Sequence, residues 1–148
     1  MPDQPSESRG DEWPGRSERP DIERLAGDPT SPYESLFGYS RVVAAGGFVM
    51  ISGTTSIDEH GRVVGVTPYE QAVDIFTKLL RELGRVGLSA VDVVQTRIYV
   101  TDISRADEVG RAHGEFFAHV RPAATMVEVS GLVDPRMLIE IELVAHRR

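Results

Sequence analysis

The sequence predicts an α+β protein in which two helices cover one face of a mixed β-sheet. Three observations support this class: short apolar runs typical of strands, two segments with apolar residues at helical spacing, and turn signals between them. In chain order the predicted elements are β-β-α-β-α-β-β, which we expect to form a two-layer sandwich. The length of 148 residues suits a single domain with its own core.

Residues 1–32 are predicted to be a disordered or loosely ordered tail, and residues 33–148 to form the domain. The first 32 residues hold six of the nine prolines and only five apolar residues. Such a segment buries too little apolar surface to offset the entropy of ordering. Within it, Ile22 and Leu25 are the residues that could dock on a neighbour.

The domain is expected to begin with a β-hairpin. Strands at 40–44 and 48–51 flank Gly46-Gly47, a pair suited to a hairpin turn. The second strand is apolar at every position, so it needs cover on both faces. We expect helices to cover one face and another subunit to cover the other.

Two helices and three more strands follow. Thr67, Pro68 and Glu70 provide an N-cap, a first-position proline and a capping box, and Gly87 is a helix stop. The next strand spans 91–100, and its alternation predicts a core face and an opposite face. The core face consists of Val94, Ile98 and Val100, and the opposite face of Gln95, Arg97 and Tyr99.

The second helix is expected to run to Pro122, which cannot continue a helix. Its predicted buried residues are Val109, Ala112, Phe116 and Val120. Strands around Val127 and at 138–145 complete the domain. In the last strand Glu140 and Glu142 alternate with apolar residues, so both carboxylates should point away from the helices.

The composition argues against several classes of function. The net charge of −7 argues against nucleic acid, whose binding relies on clustered Lys and Arg. The chain has no cysteine, and no metal-ligand spacing or glycine-rich phosphate loop is present. No apolar run approaches a bilayer span of about 20 residues. We therefore expect a cytoplasmic protein with no cofactor, no metal and no membrane or nucleic-acid partner.

Several separated motifs resemble the reactive-intermediate deaminase family, also called the Rid, RidA or YjgF type. They cover about residues 37–148 and read Gly38-Tyr39-Ser40, Ile51-Ser52-Gly53, Tyr99-Val100-Thr101-Asp102, Phe116-Phe117, Arg121-Pro122-Ala123-Ala124-Thr125 and Glu140-Ile141-Glu142. The resemblance implies a fold similar to monofunctional chorismate mutase, a homotrimer, and pockets at subunit interfaces.

The resemblance also implies the site. It assigns the catalytic carboxylate to Glu140, a main-chain amide to Gly53, and a position at the pocket mouth to Tyr39. The full predicted substrate-binding set is Tyr39, Ser52, Gly53, Arg97, His113 and Thr125. Alternatives stay open: the glutamates could be solvated carboxylates, and Tyr39 could simply anchor the first strand.

Two of these assignments have a structural alternative. Arg97 shares a strand face with Tyr99 and could bind substrate, or it could pair Glu140 or Glu142 across subunits. His113 has a pKa range suited to acid–base work, or it could pack at the helix boundary.

Three departures bear on the substrate. Ala124 occupies the position of the family's carboxylate-binding arginine, Gly110 that of an asparagine and Met126 that of a cysteine. Together with these departures, the resemblance implies an enamine or imine hydrolase whose substrate differs from simple 2-imino acids. The alternative is a non-enzymatic trimer that binds a metabolite or a protein partner, and a ribonuclease is disfavoured by charge.

Overall fold

The computed structural model describes residues 19–27 and 33–148, which form a six-stranded mixed sheet with helices packed on one face. The strand order is β1-β2-β3-β6-β4-β5, and neighbours are antiparallel except for the parallel pair β4 and β5. The strands are β1 Ile22–Leu25, β2 Val42–Ala45, β3 Phe48–Thr54, β4 Val93–Val100, β5 Ala123–Glu128 and β6 Ile139–His146. The helices are α1 Tyr33–Phe37, α2 Pro68–Arg85 and α3 Ala106–Phe117. The predicted α+β class and the order of its seven elements are confirmed.

The hairpin of β2 and β3 has the predicted two-residue turn. Gly46 and Gly47 have φ angles of 57° and 86°, which residues with side chains rarely adopt. Val49 and Ile51 of β3 are buried beneath the helices, whereas Phe48 and Met50 are 46% and 37% exposed. The second face of this apolar strand is therefore uncovered in the single chain.

Helix α2 has the predicted ends. The Thr67 side chain accepts a hydrogen bond from the Glu70 amide, and the Glu70 carboxylate accepts one from the Thr67 amide, completing the capping box. At the other end Gly87 has a φ of 76°, and the Leu88 amide donates to the Leu83 carbonyl at 3.0 Å. Local sequence signals thus fix both ends of this helix.

The predicted placement of Val94 on the core face of β4 is wrong. The pairing of β4 with β6 shifts between Val93 and Gln95, which marks a β-bulge. The extra residue buries Val93 and leaves Val94 42% exposed. Beyond the bulge, buried and more exposed residues alternate as predicted, so Ile98 lies on the core face.

Helix α3 differs from its prediction at its end. It stops at Phe117, before Pro122 is reached. Phe117 is fully buried, whereas Phe116 and Val120 only pack against the edge of the core. The expected burial of Val109 and Ala112 is confirmed.

The N-terminal segment is part of the sheet at residues 22–25, so the predicted tail is wrong there. β1 pairs with the edge of β2, and Leu25 packs against the core. The free backbone groups of an edge strand explain why so polar a segment forms a strand. The rest of the predicted tail, residues 1–18 and 28–32, lies outside the described residues.

Candidate functional site

Glu140 is the carboxyl group with the most unusual environment on the open face of the sheet. It lies near the start of β6, beside Tyr99 of β4, and is half-buried. Burial raises the pKa of its carboxyl group, the neighbouring Glu142 raises it further, and Arg41 opposes both effects. A carboxyl group with a raised pKa can give and take a proton closer to neutral pH.

A β-bulge brings the backbone of β3 up to this carboxyl group. Ile51 pairs with Leu143 and Thr54 with Ile141, so β3 holds one extra residue around Ser52 and Gly53. A Cβ atom on Gly53 would overlap Oε1 of Glu140. A side chain at position 53 would therefore have to displace the Glu140 carboxylate from this close approach.

Ser52 and Tyr39 lie at the same end of the sheet. The Ser52 hydroxyl donates to the Ser40 carbonyl at 2.6 Å, so it ties β3 to the segment before β2. Tyr39 is partly exposed, and its ring lies under the guanidinium of Arg41 at 5.8 Å. The structure thus brings Tyr39, Ser52 and Gly53 into one region with Glu140.

Arg41 is the site residue that the sequence analysis missed. Its Nη1 donates to the Gly53 carbonyl at 2.9 Å and to the Thr54 hydroxyl at 3.1 Å. The signal for it was present in the two-residue hairpin turn, which fixes the register and places Arg41 opposite Ser52. The Ser52 amide indeed donates to the Arg41 carbonyl at 3.0 Å.

Arg97 belongs to a separate cluster on the same face. Its Nη1 donates to Oε1 of Glu142 at 3.1 Å, and the Tyr99 hydroxyl donates to the same oxygen at 3.1 Å. Burial and then Glu142 raise the pKa of the Tyr99 phenol. Thr125 of β5 lies beside Arg97 in the parallel register. Arg97 is thus engaged by Glu142 within one chain.

His113 lies on the opposite face of the sheet from Glu140. Its Nε2 is 2.9 Å from the hydroxyl of the fully buried Thr96, and its ring packs on Phe76 and Phe117. Burial lowers the pKa of the imidazole. The structure therefore does not bring His113 together with the other predicted site residues.

Ala124 and Met126 of β5 are likewise in register with the helix-facing row of β4. Ala124 pairs with Thr96 and Met126 with Ile98. Ala124 is exposed, since β5 is the edge strand, while Met126 packs against the core. Within one chain both positions therefore lie on the edge strand, away from Glu140, and any contact they make with the Glu140 region would come from another copy.

Among residues 19–27 and 33–148, no group of three His, Asp or Glu side chains is arranged to hold a metal ion. None of the helices described is long and apolar enough to cross a bilayer. Two small cavities, of about 90 and 180 Å³, lie elsewhere and do not include Glu140. Beside the bulge, the open face thus presents a carboxyl group, an arginine and partly buried backbone.

This fold and this face define a small α+β protein with a carboxylate site on an uncovered sheet. The chain belongs to the YjgF/RidA family, because the family profile described as Endoribonuclease L-PSP matches residues 30–147.

Individual relatives agree with this assignment. SCO2049 of Streptomyces coelicolor is 38% identical over 117 residues, which cover 79% of this chain and 87% of the relative. The structure of Rv2704 from Mycobacterium tuberculosis, a member of the YjgF/YER057c/UK114 family, is 40% identical with a TM-score of 0.76. That alignment covers 84% of this chain and 98% of Rv2704. NMB1025 from Neisseria meningitidis, a YjgF family protein, is 26% identical with a TM-score of 0.71, over 86% of this chain and 96% of that one.

Proposed function

We propose that the protein hydrolyses a small enamine or imine at the Glu140 site. The observation that carries this proposal is the half-buried Glu140 carboxyl group, with a raised pKa, directly over the backbone of Gly53. Such a group can move protons near neutral pH.

In the proposed reaction Glu140 handles the protons. Its carboxylate takes a proton from a water molecule as the water oxygen attacks the imine carbon. The proton passes to the nitrogen, giving a carbinolamine, which collapses to a carbonyl compound and ammonia. One water is consumed for each imine, and Glu140 returns to its starting state. The imine carbon is electrophilic on its own, so the scheme requires no cofactor.

The substrate is proposed to differ from simple 2-imino acids. Ala124 offers no cation to a carboxylate, and Arg97 is held by Glu142. A lost arginine–carboxylate contact typically costs about 2–5 kcal/mol of binding. Substrates without an α-carboxylate, or with one bound in another way, therefore suit this chain better.

We further propose that the site is completed by other copies of the chain in a homotrimer. Large apolar side chains are exposed on α1 and on the open face, among them Leu36 at 72% and Phe37 at 70%. Phe48, Met50 and Val127 are exposed on the open face as well. Exposed apolar surface of this extent favours a partner. Light scattering at micromolar concentration should give three times the 16.3 kDa chain mass, and a monomer would remove the proposed interface pocket.

The test of the reaction is ammonia release from freshly generated imines, with and without an α-carboxylate. Glu140→Gln should lower kcat/KM by roughly 100-fold or more, because general acid–base catalysis contributes 10²–10⁴-fold. Glu59→Gln, which removes a carboxylate from an exposed turn outside the site, is the matched control. A protein that accelerates no imine would instead support the non-enzymatic trimer that binds a metabolite or a partner.

The family description raises a second activity, cleavage of RNA. The net charge of −7 disfavours it, since RNA binding relies on basic side chains. RNA cleavage by highly purified protein that persists at raised salt and is lost in Glu140→Gln would establish it. We expect no such cleavage.

A further inference from the structure

The N-terminal strand β1 extends the sheet beside the candidate site. It precedes residue 30, where the match to the family begins. Leu25 pairs with Val42, the residue after Arg41. The chain leaving β1 therefore passes next to the one arginine that lowers the pKa of Glu140.

A tight contact fastens this segment to α1. The Gly27 amide donates to both carboxylate oxygens of Glu34, at 3.0 and 3.1 Å. A Cβ atom on Gly27 would lie 2.9 Å from Oε2 of Glu34 and 3.1 Å from both Cβ and Cγ of Arg41. Gly27 is not among the glycines with positive φ, so a side chain here would crowd its neighbours rather than strain the backbone.

The contacts continue from Arg41 to Glu140. Nη1 of Arg41 holds the Gly53 carbonyl and the Thr54 hydroxyl, and the Glu140 carboxylate lies against Gly53. Among the described residues, Nη1 is the only guanidinium nitrogen of Arg41 with acceptors. The aliphatic stem of Arg41 occupies the space that a side chain at position 27 would need, so Gly27 leaves room for the stem.

We propose that β1 and the Gly27–Glu34 contact are a positioning device that seats Arg41 and thereby sets the charge environment of Glu140. Its importance for catalysis rests on the proposed function, whereas its effect on Glu140 does not. Gly27, Glu34 and Arg41 are positioning residues in this scheme, since each acts through another group.

The charged and titratable groups around Glu140 give the expected direction. Glu142 from β6 raises its pKa and Arg41 from the start of β2 lowers it. From β4, Tyr99 is neutral below its raised pKa, and Arg97 is paired with Glu142. A displaced Arg41 should therefore let the pKa of Glu140 rise.

The experiment is an NMR titration of the Glu140 side-chain carboxyl carbon in the full chain, assigned by its loss in Glu140→Gln. Gly27→Ala should raise the titration midpoint by a few tenths of a pH unit, because it forces the Arg41 stem aside. Gly131→Ala is the matched control, since a Cβ atom there meets open space. It should leave the midpoint unchanged.

Glu34→Ala provides a sharper test because two effects oppose each other. Removing a negative charge would by itself lower the midpoint of Glu140, whereas releasing Arg41 would raise it. We expect a rise, and Glu34→Gln should restore most of the wild-type value, since its side-chain oxygen still accepts from Gly27. This variant also serves if Gly27→Ala fails to fold.

A double-substitution cycle separates this device from a general loss of stability. In an Arg41→Gln background, which itself should raise the midpoint, Gly27→Ala should cause no further rise. An unchanged midpoint in Gly27→Ala and Glu34→Ala, or an equal rise in the Arg41→Gln background, would overturn the proposal. Absence of imine hydrolysis would overturn the proposed function and leave these titrations to be judged on their own.

Discussion

The two faces of the sheet are made by the same strands, yet only the face that packs against the helices is covered within the chain. On β6 the helix-facing residues are fully buried, whereas those on the open face are half-buried or exposed. The helix-facing residues are Ile139, Ile141, Leu143 and Ala145. The open face instead carries Glu140, Glu142 and exposed apolar side chains. Strict alternation therefore places the core on one face and the carboxyl groups of the proposed site on the other.

The largest expected difference between the faces is in stability. Ile141→Ala removes buried methyl groups and leaves a cavity, so it should cost about 2–5 kcal/mol of unfolding free energy. Val144→Ala, on the open face of the same strand, should cost clearly less in the single chain. Denaturant unfolding of both variants measures this, and similar losses would contradict the difference between the faces.

A smaller effect is expected for the buried amide that secures the start of β6. Gln71 accepts from the Leu138 amide at 2.9 Å and donates to the Arg136 and Gly65 carbonyls at 2.9 and 3.1 Å. Gln71→Leu keeps the volume and leaves these groups unpaired, so it should cost about 1–3 kcal/mol. Thermal unfolding is the measurement, and the exposed Thr77→Ala is its control.

A pH effect is expected on the helix-facing side. Burial lowers the pKa of His113, so the unfolded chain binds the proton more readily than the folded one. The stability from neutral His113 is present above the ordinary pKa of about 6.5 and is lost as pH falls below it. Unfolding free energies between pH 8 and 5 should show this slope in wild type and less of it in His113→Gln. Equal slopes would contradict the assignment.

The smallest effect is expected for the ion pair on the open face. The side chains of Arg97 and Glu142 are 50% and 33% exposed, so water screens their interaction. Arg97→Ala should lower stability by less than about 1 kcal/mol. Arg81→Ala, at an exposed position of α2, is the surface control. A larger loss for Arg97→Ala in urea unfolding would contradict this weak ion pair.

The sequence patterns predicted the fold because most of its signals are local. The capping box at Thr67, the hairpin glycines and the alternation in β6 each act within a few residues. What they missed depends on tertiary pairing. β1 forms because β2 offers an unpaired edge, and the bulge at Val94 arises from register with β6.

The site was predictable in part for the same reason. Alternation placed Glu140 and Glu142 on the open face. The bulge at Ser52 and Gly53 was not predicted, because it depends on pairing with β6 and lies beyond the expected end of the strand at residue 51. Arg41 could have been identified by extending the register of the β2–β3 hairpin by one residue pair, which places it opposite Ser52. His113 was assigned to the site although helix α3 presents it to the covered face, where it bonds to Thr96.

The most direct test compares Glu140 with His113, which lie on opposite faces of the sheet. Ammonia release from a panel of imines should be measured for wild type, Glu140→Gln and His113→Gln, each with folding verified. We predict a loss of roughly 100-fold or more in Glu140→Gln and near-wild-type rates in His113→Gln once its stability is taken into account. Retained activity in Glu140→Gln together with its loss in His113→Gln would contradict the assignment of the chemistry to the open face.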